Sequence, residues 1–240
     1  MLFPRLKSVA RAVGAIALLA GSPVCAQQQG IDVSHHNGTV DWAEVAKAGV
    51  EFSFVKASEG VDAADPMFAS HWQALGQQGI ARGAYHFFVT EDDPKAQADF
   101  FLSLYNPQEG DLLPAIDIEV LGKGTGSDGP ERLRAFLELI EKAVGADPII
   151  YTSARFWDTE MARDPKLLAV IADSPLWIAQ YEVDAPRIPD GWDRWTIWQW
   201  TPKAVVAGVP GQVDSNRLHP DVSLANLRVP AKPAPATPTR

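Results

Sequence analysis

Between Gly30 and Arg228 the chain returns eight times to a short apolar or β-branched run that ends in polar residues. The runs are GIDVSHH (30–36), VEFSFVKASEG (50–60), IARGAYHFF (80–88), LLPAIDIE (112–119), PIIYTS (148–153), PLWIAQY (175–181), WTIWQW (195–200) and GQVDSNRL (211–218). Residue type and length make each a strand. Helical segments separate the early ones. DWAEVAKAG (41–49) has Asp41 as a cap and stops at Gly49. DPMFASHWQALGQQG (65–79) places Pro66 in a first turn and stops at Gly79, and DDPKAQADFFLSLY (92–105) follows the same plan. PERLRAFLELIEKAVG (130–145) sets Leu133, Phe136, Leu137, Ile140 and Val144 on one face. Strands alternating with helices imply parallel pairing, and eight in succession suggest a sheet closed into an α/β barrel.

In such a barrel the chemistry gathers where strands end at their carboxyl side. Asp32, Lys56, Glu59, His86, Asp117, Glu119, Gln180, Gln199 and Asp214 all fall near those ends. Asp117 and Glu119 stand out, because they close the apolar run LLPAIDIEV (112–120) two residues apart. Side chains at i and i+2 of a strand share a face. Both carboxylates therefore point to the lumen mouth, while Ile116 and Ile118 face the helices. Two close carboxylates in a partly desolvated site do not ionise independently, and one is able to hold a proton near neutral pH. That suits glycoside cleavage, in which one acid protonates the leaving oxygen and the other meets the cationic sugar centre. A solvated acidic pair, a pair neutralised by Lys56 or an arginine, and a divalent-cation site remain alternatives at this level.

Other features carry less. His35 and His36 are adjacent, so in extended chain they diverge and make a poor bidentate metal site. Tyr85 and His86 alternate, so one of them faces the lumen. Trp198 and Trp200 share a face opposite Gln199, and Trp200, at a strand end, is the tryptophan best placed to stack on a sugar. LGKGTGSDGP (121–130) has the glycines of a nucleotide loop, but Pro130 removes an amide that a phosphate would need. It reads as a loop beside the cleft.

The ends lie outside the barrel pattern. Residues 1–26 combine Arg5, Lys7 and Arg11 with an apolar run from Ala12 to Ala20 and a small-residue cleavage site, Val24-Cys25-Ala26. This is the pattern of an export signal; a lipid anchor on Cys25 fits its flanking residues poorly. Cys25 is the only cysteine, so chain 27–240 has no disulfide or thiolate chemistry. The formal net charge of −9 becomes −12 once the three cations of the leader are gone. Such an acidic protein is not expected to bind nucleic acid by neutralising phosphates. Residues 229–240, VPAKPAPATPTR, read as a proline-rich disordered tail, which leaves 27–228 as the domain.

GIDVSHHNG, FVKASEG, GAYHFF, AIDIE, WIAQY, WQW and GVPGQVDSN occur in one order over about residues 30–218. Together they resemble glycoside hydrolase family 25, the secreted lysozymes or muramidases. The resemblance implies a TIM-like barrel of eight strands with a reduced set of helices, of (β/α)5(β)3 type. It also implies hydrolysis of the β-1,4 bond between N-acetylmuramic acid and N-acetylglucosamine in peptidoglycan. The sequence itself gives no sign of a cofactor, a metal, a membrane anchor or an obligate oligomer, so a monomer is expected. By position Glu119 is the acid/base and Asp117 the second carboxylate. Asp32 and Asp214 complete an acidic cluster from neighbouring first and last strands. Retention is implied, by a covalent intermediate or through the substrate's acetamido group. Tyr85, Trp200, Lys56, Glu59 and Gln180 are the expected substrate contacts. His71, Trp200 and Ser215 depart from the family pattern at places where Asn, Tyr and a variable residue stand. A non-catalytic glycan-binding barrel and a chitin-cleaving glycosidase are the rival readings.

Overall fold

The computed structural model describes residues 27–122 and 128–231. The expected export signal, the middle of the glycine-rich loop and the tail beyond residue 231 lie outside the described residues. Strand β1 (Gln29–Val33) pairs in parallel with β2 (Phe52–Glu59), whose end carries a two-residue antiparallel flap, β3 (Ala63–Ala64). Parallel pairing continues through β4 (Ala81–Phe87), β5 (Ala115–Asp117), β6 (Ile149–Thr152), β7 (Leu176–Ala179) and β8 (Ile197–Ala204). The last strand, β9 (Val213–Leu218), runs antiparallel to both β8 and β1 and closes the barrel between them.

Closure and the eight-strand count match the sequence expectation; uniform parallel pairing does not. The connection from β8 to β9 is a short hairpin, and a hairpin joins only antiparallel strands. One consequence is local to the site. Asp214 sits near the start of β9 rather than at its end, and the reversal of that strand returns it to the mouth. The run 112–119 is also mostly not strand. Pro114 has no N–H for a ladder, and β5 spans only Ala115–Asp117.

Helices cover the outside of the first five strand units. In α1 (Trp42–Lys47) the Asp41 carboxylate accepts from the N–H groups of Ala43 and Glu44. Helix α2 (Phe68–Gln78) starts two residues later than Pro66 suggests, because the Asp65 carboxylate accepts from Met67 N–H and from His35 instead. Helix α3 (Pro94–Leu104) is capped by Asp93, and α4 (Gly129–Val144) buries the five expected apolar residues before a left-handed Gly145. A single turn, α5 (Ala154–Phe156), runs into a π-helical turn, and α6 (Pro165–Val170) completes the fifth unit. Strands β7, β8 and β9 follow with no helix between them among the described residues, and a 3-10 turn, Leu224–Leu227, comes after β9. Val229 is buried and exchanges backbone hydrogen bonds with Gly110 and Asp111, so the first residue of the proline-rich stretch is docked.

The register sorts the lumen into two levels. Residues paired across strands point to the same side, so Gly30, Phe52 and Asn216 share the lumen with Phe54, Gly83, Asp32 and Asp214. Lower positions are filled by Phe52, Phe54, Ile149, Ile197 and Leu218, all buried, with the Phe54 and Trp177 rings 4.7 Å apart. Upper positions carry the acids. The aromatic filling requires glycine beside it: a Cβ on Gly30 would lie 2.3 Å from the Phe52 ring, and one on Gly83 2.3 Å from Phe54. Gly30→Ala is accordingly expected to lower stability by about 1–3 kcal/mol through overpacking. Urea unfolding checks this as a lower midpoint at unchanged slope.

Candidate active site

The barrel mouth holds a cavity of about 320 Å³ into which β1, β5 and β9 send four carboxylates: Asp32, Asp117, Glu119 and Asp214. Their meeting follows from register. Asp32 and Asp214 are direct partners across the antiparallel pair β1–β9. Asp117 is level with Phe87 on one side and Tyr151 on the other. Glu119 stands two residues on, just past the end of β5, and keeps the face of Asp117.

Asp32 is the most heavily bonded of the four. Gln199 Nε2 donates to both of its oxygens, at 3.0 and 3.2 Å, and Asn216 Nδ2 donates to Oδ1 at 2.7 Å. Asn216 is oriented in turn by Trp177, whose indole N–H donates to Asn216 Oδ1 at 2.8 Å. On the far side, the hydroxyls of Tyr151 and Tyr181 both donate to Gln199 Oε1. Asp117 is 8 % exposed, and its Oδ1 is buried without a hydrogen-bond partner. Glu119 is exposed at the rim.

Desolvation raises the pKa of all four acids, in Glu119 despite its exposed place at the rim. Asp32 is pushed up to about 7, first by desolvation and then by Asp214, against the lowering effect of Asn216 and Gln199. Asp214 rises to about 6 through desolvation and the charge of Glu119. Asp117 is held well above the usual carboxylate range by burial and by Glu119. Glu119 is raised by desolvation, against the pull of Lys56. Among the described residues Lys56 is the cation lining this cavity; its Nζ bonds Glu59 at 2.6 Å and lies 5.1 Å from the Phe87 ring centre.

Not every expected contact lines the cavity. Lys56 and Tyr85 do. Glu59 bonds Lys56 and is outside the lining. Gln180 has the opposite strand parity to Ala179 and its side-chain oxygen accepts from Arg187 N–H. Trp200 borders a neighbouring groove of about 620 Å³, which shares Tyr181 with the cavity. His86 is fully buried on the outer face between Ser58 and Gln97, and burial lowers its pKa to about 4. A bulge after Lys56 explains this pairing, since it turns Ser58 outward while Lys56 stays in the lumen. His35 and His36 do not diverge as extended chain would make them. They lie in a 3-10 turn with ring centres 3.9 Å apart; His35 bonds Asp65 and His36 reaches the cavity rim. Tyr151, Tyr181 and Asn216 were not singled out by sequence. Their place at the polar ends of the YTS, IAQY and QVDSN runs was the available local signal; which partners they meet was not.

The three departures are structural. His71 is buried and accepts a hydrogen bond from the Trp42 indole. Trp200 Nε1 donates to Ser215 Oγ at 3.2 Å, so those two substitutions are partners.

A family model of glycosyl hydrolases family 25 matches residues 31–209. The chain belongs to this family. Among relatives, lysozyme M1 of Streptomyces globisporus is 35% identical over 201 residues, covering 80% of this chain and 67% of that protein. The N,O-diacetylmuramidase of Chalaropsis is 32% identical over 186 residues, covering 71% of this chain and 86% of that one. Among solved structures, a bacterial lysozyme from Streptomyces coelicolor superposes with a TM-score of 0.77 at 33% identity, covering 85% of this chain and 96% of that chain. This family 25 protein is thus a glycoside hydrolase, and among its described residues no helix is long and apolar enough to cross a membrane.

The raised acids have a consequence for stability. A carboxyl whose folded pKa exceeds its unfolded value binds more protons folded than unfolded, so its contribution falls as pH rises from the unfolded towards the folded pKa. Asp214, shifted from 3.8 to about 6, should therefore weaken the fold increasingly across that interval. Asp214→Asn is expected to gain stability over wild type as pH rises from about 4 to about 6. Paired urea titrations check it; the difference cancels the opposite contribution of buried His86.

Proposed function

We propose that the protein is an exported lysozyme that hydrolyses the β-1,4 bond between N-acetylmuramic acid and N-acetylglucosamine in bacterial peptidoglycan. The observation that carries this reading is the gathering of Asp32, Asp117, Glu119 and Asp214 at one cavity, in a chain similar to lysozymes and muramidases. The leader sequence supports export.

Glu119 is the acid/base. Free of substrate, both Glu119 and Asp117 are raised by desolvation, and the charge of Glu119 raises Asp117 further. The acetamido N–H of the bound sugar supplies a donor to the unpartnered Asp117 Oδ1. A hydrogen bond to the charged form lowers a carboxyl pKa, so the proton is left on Glu119, beside the glycosidic oxygen. Glu119 gives that proton to the leaving sugar as the C1–O bond breaks. The acetamido oxygen closes on C1, and Asp117 steadies the charge that develops on the group. Water, relieved of a proton by Glu119, then opens the intermediate, so configuration is retained. Asp32 and Asp214 set the charge of the pocket. Lys56 and Tyr85 contact substrate within it, and Trp200 extends the surface towards the next sugars.

Glu119→Gln is expected to lower release of reducing ends from purified peptidoglycan by about 10²–10⁴-fold with the fold intact, the range for loss of a general acid. An unchanged rate in that variant would remove Glu119 from the reaction. Mass analysis of the digest checks the bond: products ending in N-acetylmuramic acid are expected. Cleavage of chitin with none of peptidoglycan would replace the substrate, and binding without products would leave a glycan-binding barrel.

A further inference from the structure

We propose that Gln199 is a positioning residue that fixes the direction of hydrogen bonding from Asp32 to Tyr151 and Tyr181, so that both hydroxyls meet the sugar as acceptors only. The inference rests on the lysozyme reading and deepens it.

The direction can be traced from a group with no choice. An indole N–H only donates. Trp177 therefore fixes Asn216 Oδ1 as acceptor, and Asn216 Nδ2 as the donor to Asp32. Gln199 meets the same carboxylate from β8 with its Nε2, which leaves Oε1 for the tyrosines. A carbonyl oxygen has two lone pairs, and the Tyr151 and Tyr181 hydroxyls take both. Each phenol has a single proton, and the geometry of both hydroxyls directs it to Gln199 Oε1. What remains towards the cavity is lone pairs. This wall welcomes a sugar hydroxyl or an acetamido N–H and repels a carbonyl oxygen. Gln199 is 3 % exposed, so water does not substitute for its amide.

The test compares peptidoglycan hydrolysis from pH 4 to 8 for wild type, Gln199→Glu and Tyr181→Phe, with near-UV circular dichroism as the folding check. In Gln199→Glu a carboxyl of nearly the same shape faces Asp32. On the acid side the two acids share one proton, the tyrosines still donate to the outer oxygen, and activity persists. As pH rises, that proton is lost and the two anions repel. Asp214, Asp117 and Glu119 face the pair with the same sign, Lys56 opposes them, and Tyr85 and His36 complete the wall. Activity relative to wild type should then fall by about tenfold per pH unit above the apparent pKa of the pair. A residue serving packing alone would leave the profile of wild type unmoved. Tyr181→Phe, at the half-exposed rim, keeps the Asp32–Gln199 contact and removes one acceptor; KM should rise by roughly three- to tenfold, the loss of one hydrogen bond. A Gln199→Glu profile parallel to wild type, or an unchanged KM in Tyr181→Phe, overturns the proposal while wild type remains active. An inactive wild type counts against the lysozyme reading and takes this inference with it.

Discussion

A buried carboxylate surrounded by donors is the constraint around which this barrel closes. Asp32 belongs to β1, Gln199 to β8 and Asn216 to β9, and their hydrogen bonds join the first strand to the last two. Removing a charge from water costs several kcal/mol unless it is met by donors, and here three N–H···O contacts meet it. Breaking one would leave the others against an uncompensated group. The seam of the barrel and the floor of the site are therefore one structure, and a change at either is felt at both.

The antiparallel last strand is what allows four acids rather than three at the mouth. In an all-parallel barrel a residue near the start of the final strand would lie at the opposite end, among the lower apolar positions. Reversal of β9 lifts Asp214 level with Asp32. The same register places Asn216 beside Gln199 and Gly30, below the acids, where its amide can reach the Asp32 carboxylate from the side. Apolar filling below and charge above follow from two-residue periodicity along each strand. Phe52 and Phe54 fill the lumen below and Trp177 lines the cavity floor, and desolvation leads the causes of all four raised acids.

Much of this was legible in the sequence, because period-2 alternation fixes a face without knowledge of the partner strand. That argument put Asp117 and Glu119 on the lumen and Ile116 and Ile118 in the core, where both isoleucines are fully buried. Helix stops at Gly79 and Gly145 are equally local signals. What escaped depends on distant pairing. The orientation of β9 is decided by the length of a hairpin, and the outward turn of Ser58 and His86 by a single bulged residue. Glu59, expected at the substrate, instead pairs with Lys56 outside the cavity lining. The roles of Tyr151, Tyr181 and Gln199 arise only when β6, β8 and the segment after β7 converge, and no spacing along the chain encodes that meeting.

Trp200 shows how a departure from a family pattern can be absorbed physically. A tryptophan carries an N–H that needs an acceptor, and Ser215 across the β8–β9 pair supplies it at 3.2 Å. The Arg217 guanidinium lies 4.0 Å from the Trp200 ring centre, so one indole face is braced by a cation. Trp200 also borders the groove that begins at Tyr181 and runs to Lys203. A platform held by a hydrogen bond at one edge and a guanidinium on one face loses little side-chain entropy when a sugar stacks on it. Trp200, Ser215 and Arg217 thus act as one unit, and exchanging Trp200 alone would leave the Ser215 hydroxyl without its indole donor and Arg217 to the more distant Trp198 ring, 5.6 Å away.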